Sequence, residues 1–144
     1  AFRRTIDRMI ALVDPDSFDV IAGIEARGFI VSAAMSYALE KGKVMLRKPG
    51  KLPGKAVSID YALEYGSDRI EMHVDAIQPG QRVLLVDDLL ATGGTAMAGV
   101  ELLRGQGAIV SQALFIVDLP DLGGAQKLSA AGVKPLALMA FAGD

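Results

Sequence analysis

No cysteine occurs among the 144 residues. That excludes disulfides, thiolate catalysis and cysteine-ligated zinc, and it fits a cytoplasmic protein. Histidine is almost as scarce, since His73 is the only one, and any Ser-His-Asp triad would have to be built around it. It lies in Ile70-Glu71-Met72-His73-Val74-Asp75, a strand-like alternation that puts it on the polar face, where a plain surface histidine is expected. No apolar run approaches the roughly 20 residues of a membrane span, and no signal peptide is visible. A net charge of −2 argues against a nucleic-acid or anionic-membrane surface, so neither is expected as a partner. No internal repeat or linker interrupts the chain, and residues 1–144 are expected to form a single domain with a substantial core.

The richest stretch is Val83-Leu84-Leu85-Val86-Asp87-Asp88-Leu89-Leu90-Ala91-Thr92-Gly93-Gly94-Thr95. Four apolar residues bounded by a turn read as a strand buried on both faces. The segment Ala96 to Arg104 reads as the helix that follows. Backbone N–H groups from Ala91 to Thr95 would then be unpaired at the helix N-terminus. With the helix dipole behind them, they form a phosphate cradle. Gly93 and Gly94 allow close approach, and the Thr92 and Thr95 hydroxyls add donors. Asp87 and Asp88 sit at the carboxyl end of the strand, where open α/β sheets bind ligands. Carboxylates beside a phosphate site suit a sugar diol, so the expected ligand is a ribose 5-phosphate unit. The same residues could instead form a Mg²⁺ site or a simple helix cap. Neither a Walker loop, which ends in Gly-Lys-Ser/Thr, nor the Gly-x-Gly-x-x-Gly fingerprint is present.

Elsewhere the pattern alternates. Phe18 to Ile24, Val44 to Arg47, Arg69 to Val74, Arg82 to Val86, Ile109 to Val117 and Pro135 to Phe141 read as strands. Gly28 to Glu40 reads as a helix with Ile30, Ala34 and Ala38 on one face, and further helices run from Gly94 to near Gly105 and from Gly124 to Ala131. An amphipathic helix with Phe2, Ile6 and Ile10 starts the chain. Such alternation predicts an α/β fold with a mostly parallel central sheet flanked by helices. The region Arg47 to Gly66 does not fit and reads as a long polar connection, which in a compact domain is functional or disordered. Its cations Arg47, Lys48, Lys51 and Lys55 suit either a solvated loop or charge compensation for a polyanion. In the turn Gly23-Ile24-Glu25-Ala26-Arg27-Gly28-Phe29, Arg27 could fork a phosphate or pair with a carboxylate such as Glu25.

The wording Val-Asp-Asp-Leu-Leu-Ala-Thr-Gly-Gly-Thr resembles the 5-phosphoribosyl-1-pyrophosphate (PRPP) signature of type I phosphoribosyltransferases, the adenine phosphoribosyltransferase family in particular. Arg47-Lys48-Pro49-Gly50-Lys51-Leu52-Pro53-Gly54 and Leu63-Glu64-Tyr65-Gly66 resemble that family too, and the match runs from about Phe18 to Leu128. The resemblance implies transfer of the phosphoribosyl group from PRPP to adenine. It further implies Mg²⁺ held mainly by substrate, with Asp87 and Asp88 contributing through water. A non-proline cis peptide is implied at or next to Glu25–Ala26, together with a long loop that closes over substrate. Glu64 takes the place of the general acid/base, and Arg27 belongs with it in the catalytic set. PRPP contacts are expected from Asp87, Asp88, Ala91 to Thr95, Arg27, Arg47, Lys48 and Lys51, with Tyr65 ordering the closed loop. Leu89, with Leu90, would touch the base, and a homodimer is expected. Family members carry an N-terminal hood segment over the base that has no counterpart here. The chain therefore reads as an N-terminally truncated member with little or no hood. Another acceptor base, or a non-catalytic PRPP or purine sensor, remains an alternative; no basic helix-turn-helix accompanies the domain.

Overall fold

The computed structural model describes residues 1–50, 54–62 and 66–142. A first helix, α1 (Phe2–Ala11), leads into strand β1 (Val20–Ile24), helix α2 (Arg27–Leu39) and strand β2 (Gly42–Leu46). Two strands, β3 (Ala56–Ala62) and β4 (Ser67–His73), precede β5 (Arg82–Leu90) and helix α3 (Gly94–Gly105). The chain continues through β6 (Ile109–Asp118), helix α4 (Gly124–Ala130) and β7 (Lys134–Ala140). Five strands form one sheet in the order β2-β1-β5-β6-β7, and every neighbouring pair is parallel. This is the expected parallel α/β sheet, with helices on both faces.

Alternation along the buried strands divides the core in two. Ala22, Ile24, Leu85, Ala113 and Phe115 face α3 and the β3–β4 hairpin. Ile21, Leu84, Val86 and Leu114 face α1 and α2, meeting Ile6, Met9, Val31 and Met35. Between β1 and β5 the strand order reverses direction, because the chain leaves β1 towards β2 and returns on the other side as β5. Such a switch point opens a crevice at the carboxyl ends of the two strands. At their amino ends, Arg82 closes the seam by donating from Nη2 to Asp19 Oδ1 at 2.9 Å, and its guanidinium holds the Asp19 carboxyl down at about 2.

Two expectations need correction. The stretch Arg47 to Gly66 is not wholly a loop, for Ala56–Ala62 is a strand. Arg69 to Val74 does belong to a strand, but one outside the central sheet: β3 and β4 pair antiparallel as a separate two-stranded sheet, joined to the rest through the bridge Arg47↔Glu71. Its Ile70 and Met72 still reach the core beside α3. Along α2, the row of Ile30, Ala34 and Ala38 meets the core only through Ala34. Ile30 is 62% exposed and Ala38 is exposed too, while Val31, Ser32 and Met35 are buried. The helix is apolar almost all round, so periodicity alone assigns it no inward direction.

Candidate active site

The crevice between β1 and β5 is a cleft of about 240 Å³ lined by Ile24 to Arg27, Lys48 and the run Asp87 to Ala96. Its floor is the end of β5, where burial of Val83 to Val86 gives way to the half-buried Asp87 and Asp88. The strand extends through both acids to Leu90, so their side chains are fixed by ladder geometry rather than by a loop. Beyond it, the turn of Ala91 to Gly93 feeds α3. Among the described residues, no backbone N–H from Ala91 to Thr95 donates to a backbone carbonyl. A row of unpaired donors therefore meets the positive end of the α3 dipole.

The turn keeps its shape by pressing on α4. Gly93 adopts φ +88°, and a Cβ there would lie 2.9 Å from Gly124 Cα. The Gly124 N–H donates to the Ala91 carbonyl at 3.0 Å. The cradle is thus held backbone to backbone from a distant segment.

Across the cleft, the peptide Glu25–Ala26 is cis, at the position the resemblance implies. Arg27 Nε lies 2.8 Å from Asp88 Oδ2. Arg27 thus pairs with a carboxylate, but with Asp88 rather than Glu25. Glu25 instead accepts the Lys48 N–H at 2.8 Å and lies 3.6 Å from Arg47 Nε, an ion pair beyond hydrogen-bond reach. Burial pushes the Asp87 carboxyl up to about 7, with the Asp88 N–H acting in the opposite sense and the neighbouring Asp88 carboxylate adding to the rise.

Of the residues singled out from sequence, Arg27, Lys48, Asp87, Asp88, Leu89 and Ala91 to Thr95 line this one cleft. Arg47 does not line it; its guanidinium packs 5.4 Å from the centre of the Phe29 ring. Lys51, Glu64 and Tyr65 lie outside the described residues. Tyr61, Asp68 and Gly124 were not anticipated as parts of the site. Only the alternation Val57-Ser58-Ile59-Asp60-Tyr61 offered a signal, and it pointed to a strand rather than to a role.

An acid pair followed by a row of free backbone donors at a parallel switch point suits a phosphorylated sugar. Residues 1–127 match the phosphoribosyl transferase domain family, and the chain belongs to it. Its relatives narrow the class. An adenine phosphoribosyltransferase of Bradyrhizobium sp. strain BTAi1 is 59% identical over 143 residues, spanning 99% of this chain and 80% of that protein. The crystal structure of adenine phosphoribosyltransferase from Thermoanaerobacter pseudethanolicus superposes with a TM-score of 0.93 at 44% identity, covering 97% of this chain and 80% of that one. The Saccharomyces cerevisiae adenine phosphoribosyltransferase, complexed with an imino-altritol bisphosphate and adenine, gives 0.76 at 37%, covering 94% and 73%.

Proposed function

We propose that this chain transfers the 5-phosphoribosyl group of PRPP to adenine, giving AMP and pyrophosphate, the activity its relatives' name denotes. The observation that carries the reading is the contiguity of Asp87 and Asp88 with the unpaired N–H groups of Ala91 to Thr95 in one cleft. The 5-phosphate sits on those donors and the ribose hydroxyls on the two carboxylates. Pyrophosphate then lies towards Arg27 and Lys48, and the sequence resemblance adds Arg47 and Lys51 to its contacts. Arg27 is 76% exposed at its side chain, so it can leave Asp88 for the entering anion.

As the bond from C1 to pyrophosphate oxygen breaks, that oxygen keeps the electron pair and the ribose becomes cationic. The acid pair favours the cation and the basic side chains favour the departing anion. Adenine N9 captures C1, and its proton leaves to a base, for which sequence resemblance proposes Glu64. Leu89, 38% exposed beside the acids, offers an apolar surface to the base. Among the described residues no cluster of three or more His, Cys, Asp or Glu could hold a metal. Asp87 and Asp88 supply hard oxygen donors suited to Mg²⁺ only alongside substrate oxygens and water. The ion would contribute charge neutralisation at the pyrophosphate.

A cysteine-free chain suits a reducing compartment, and the cytoplasm is proposed; among the described residues no helix is long and apolar enough to cross a membrane. A homodimer is proposed through α2, which exposes Ile30, Ala33 and Tyr37 on one side, Tyr37 to 89%. Ile30→Glu is expected to halve the mass in solution by light scattering; an unchanged mass would locate the interface elsewhere.

The primary test mixes the chain with PRPP, Mg²⁺ and each of adenine, hypoxanthine, guanine, xanthine and orotate, and follows pyrophosphate release. Release with adenine alone is expected. Release with a different base would reassign the acceptor, and PRPP binding without turnover on any base would favour a sensor.

A further inference from the structure

Lys48 is tied at both ends. Its backbone N–H is fixed on Glu25, and its ammonium donates to the Tyr61 hydroxyl at 3.1 Å and to the Asp68 carboxylate. Tyr61 and Asp68 stand directly opposite each other in the β3–β4 ladder, and the Tyr61 hydroxyl lies 3.3 Å from Asp68 Oδ2. Thr95, in the cradle, reaches the same hydroxyl at 3.5 Å. The lysine nitrogen also lies 5.7 Å from the centre of the Tyr61 ring. One chain of contacts therefore runs from the hairpin to the phosphate donors.

A free lysine head sweeps a wide volume, because four carbons separate it from the backbone. Here two of its three protons are committed, and the third is left for an anion. Burial lowers the ammonium's proton affinity, yet the bonds to Asp68 and Tyr61 outweigh it and leave Lys48 raised. The Lys48 bond in turn holds the Asp68 carboxyl below its usual range. Asp68 does not line the cleft, so an entering anion meets the ammonium first. With side chains about one-third exposed, at 34% and 30%, the pair adds little to folding stability.

We infer that Asp68 and Tyr61 are positioning residues for phosphate binding, holding the Lys48 ammonium at the cleft mouth. This rests on the phosphate-site reading above. The test is calorimetric titration of the chain with Mg²⁺·PRPP and with ribose 5-phosphate, for the unaltered chain and for D68A, D68N, K48A, D68A/K48A and Y61F. D68A should weaken PRPP binding roughly tenfold, the scale of one charge-assisted hydrogen bond. The double variant should bind no more weakly than K48A alone. Y61F, which removes one of the Lys48 acceptors, should weaken PRPP binding a few-fold, and D68N should fall between D68A and the unaltered chain with an unchanged melting temperature.

PRPP affinity unchanged or raised in D68A and D68N would overturn the inference. So would a double variant whose loss is the product of the two single losses, since Asp68 would then act independently of Lys48. If the unaltered chain bound neither ligand, the phosphate-site reading itself would fall and take this inference with it.

Discussion

A Gly124→Ala chain is expected to bind ribose 5-phosphate roughly five- to a hundredfold more weakly than the unaltered chain, because overpacking of this kind costs about 1–3 kcal/mol. A Cβ at position 124 would lie 2.5 Å from the Ala91 carbonyl oxygen and 2.8 Å from Leu90 Cδ1. Neither can yield cheaply: Ala91 is backbone, and Leu90 is a buried part of the core. The added methyl must therefore push the turn of Ala91 to Gly93 away from α4, and the anion donors move with it. Alanine favours helix more than glycine does, so any lowering of the melting temperature, about 3–8 °C for that energy, reports the contact and not the helix. Gly105→Ala is the matched control, since among the described residues a Cβ there would meet nothing within 4 Å, and its backbone is not left-handed. It should leave binding unchanged and melt slightly higher. Equal affinities for the two variants would show that the α4 contact does not set the cradle.

Asp87→Asn should stabilise the fold at neutral pH while weakening ligand binding by one to two orders of magnitude, about the loss of one or two hydrogen bonds to a charged group. The sign follows from burial, which raises the folded-state value to about 7 from an ordinary 3.8. Below pH 3.8 both folded and unfolded chains carry the proton, and Asp87 is neutral in its effect. Between about pH 4 and 7 the unfolded chain loses the proton and the folded chain keeps it, so stability falls as pH rises. Above pH 7 the destabilisation is complete, about 4 kcal/mol from the size of the shift. Asparagine has no proton to lose, and its amide oxygen still accepts the Asp88 N–H that reaches Asp87 Oδ1 at 2.8 Å. Melting curves of the two chains should converge near pH 4 and separate towards pH 8, the variant higher. Parallel curves across that range would mean that Asp87 ionises normally. A carboxylate retained at a cost to the fold is what a binding site demands.

Legibility in the sequence followed locality. Val83 to Thr95 carries strand, acids, turn and helix start in unbroken succession, so the cradle and its floor could be read from one segment. The parallel sheet was equally plain, because strands buried on both faces alternate with helical stretches. The hairpin was obscured by context. Val57, Ile59 and Tyr61 alternate with Ser58 and Asp60 in β3, but prolines, glycines and four cations precede them, and their partner strand could only be assigned by pairing. In α2, apolar residues on every side left no moment to orient it. Gly93 and Gly124 meet only because β6 lies against β5, a contact no local pattern can announce. Tyr61 and Asp68 likewise become neighbours of Lys48 only once the hairpin folds over the cleft.

The pairing of β1 with β5 has a kinetic consequence. Val20 meets Val83 only after the whole excursion through β2, β3 and β4 has been closed, whereas β5, β6 and β7 follow one another with short crossovers. Long closures lag behind short ones, so the three-strand half is expected to assemble first and the β1–β2 half to dock on it. An intermediate of that kind carries the acids and the turn but has no opposite wall. Ligand therefore recognises only the finished sheet, and at a hundred times its dissociation constant it adds about 2.7 kcal/mol to the last docking step. Amide exchange in β1, rather than in β5, is where that added protection will be felt.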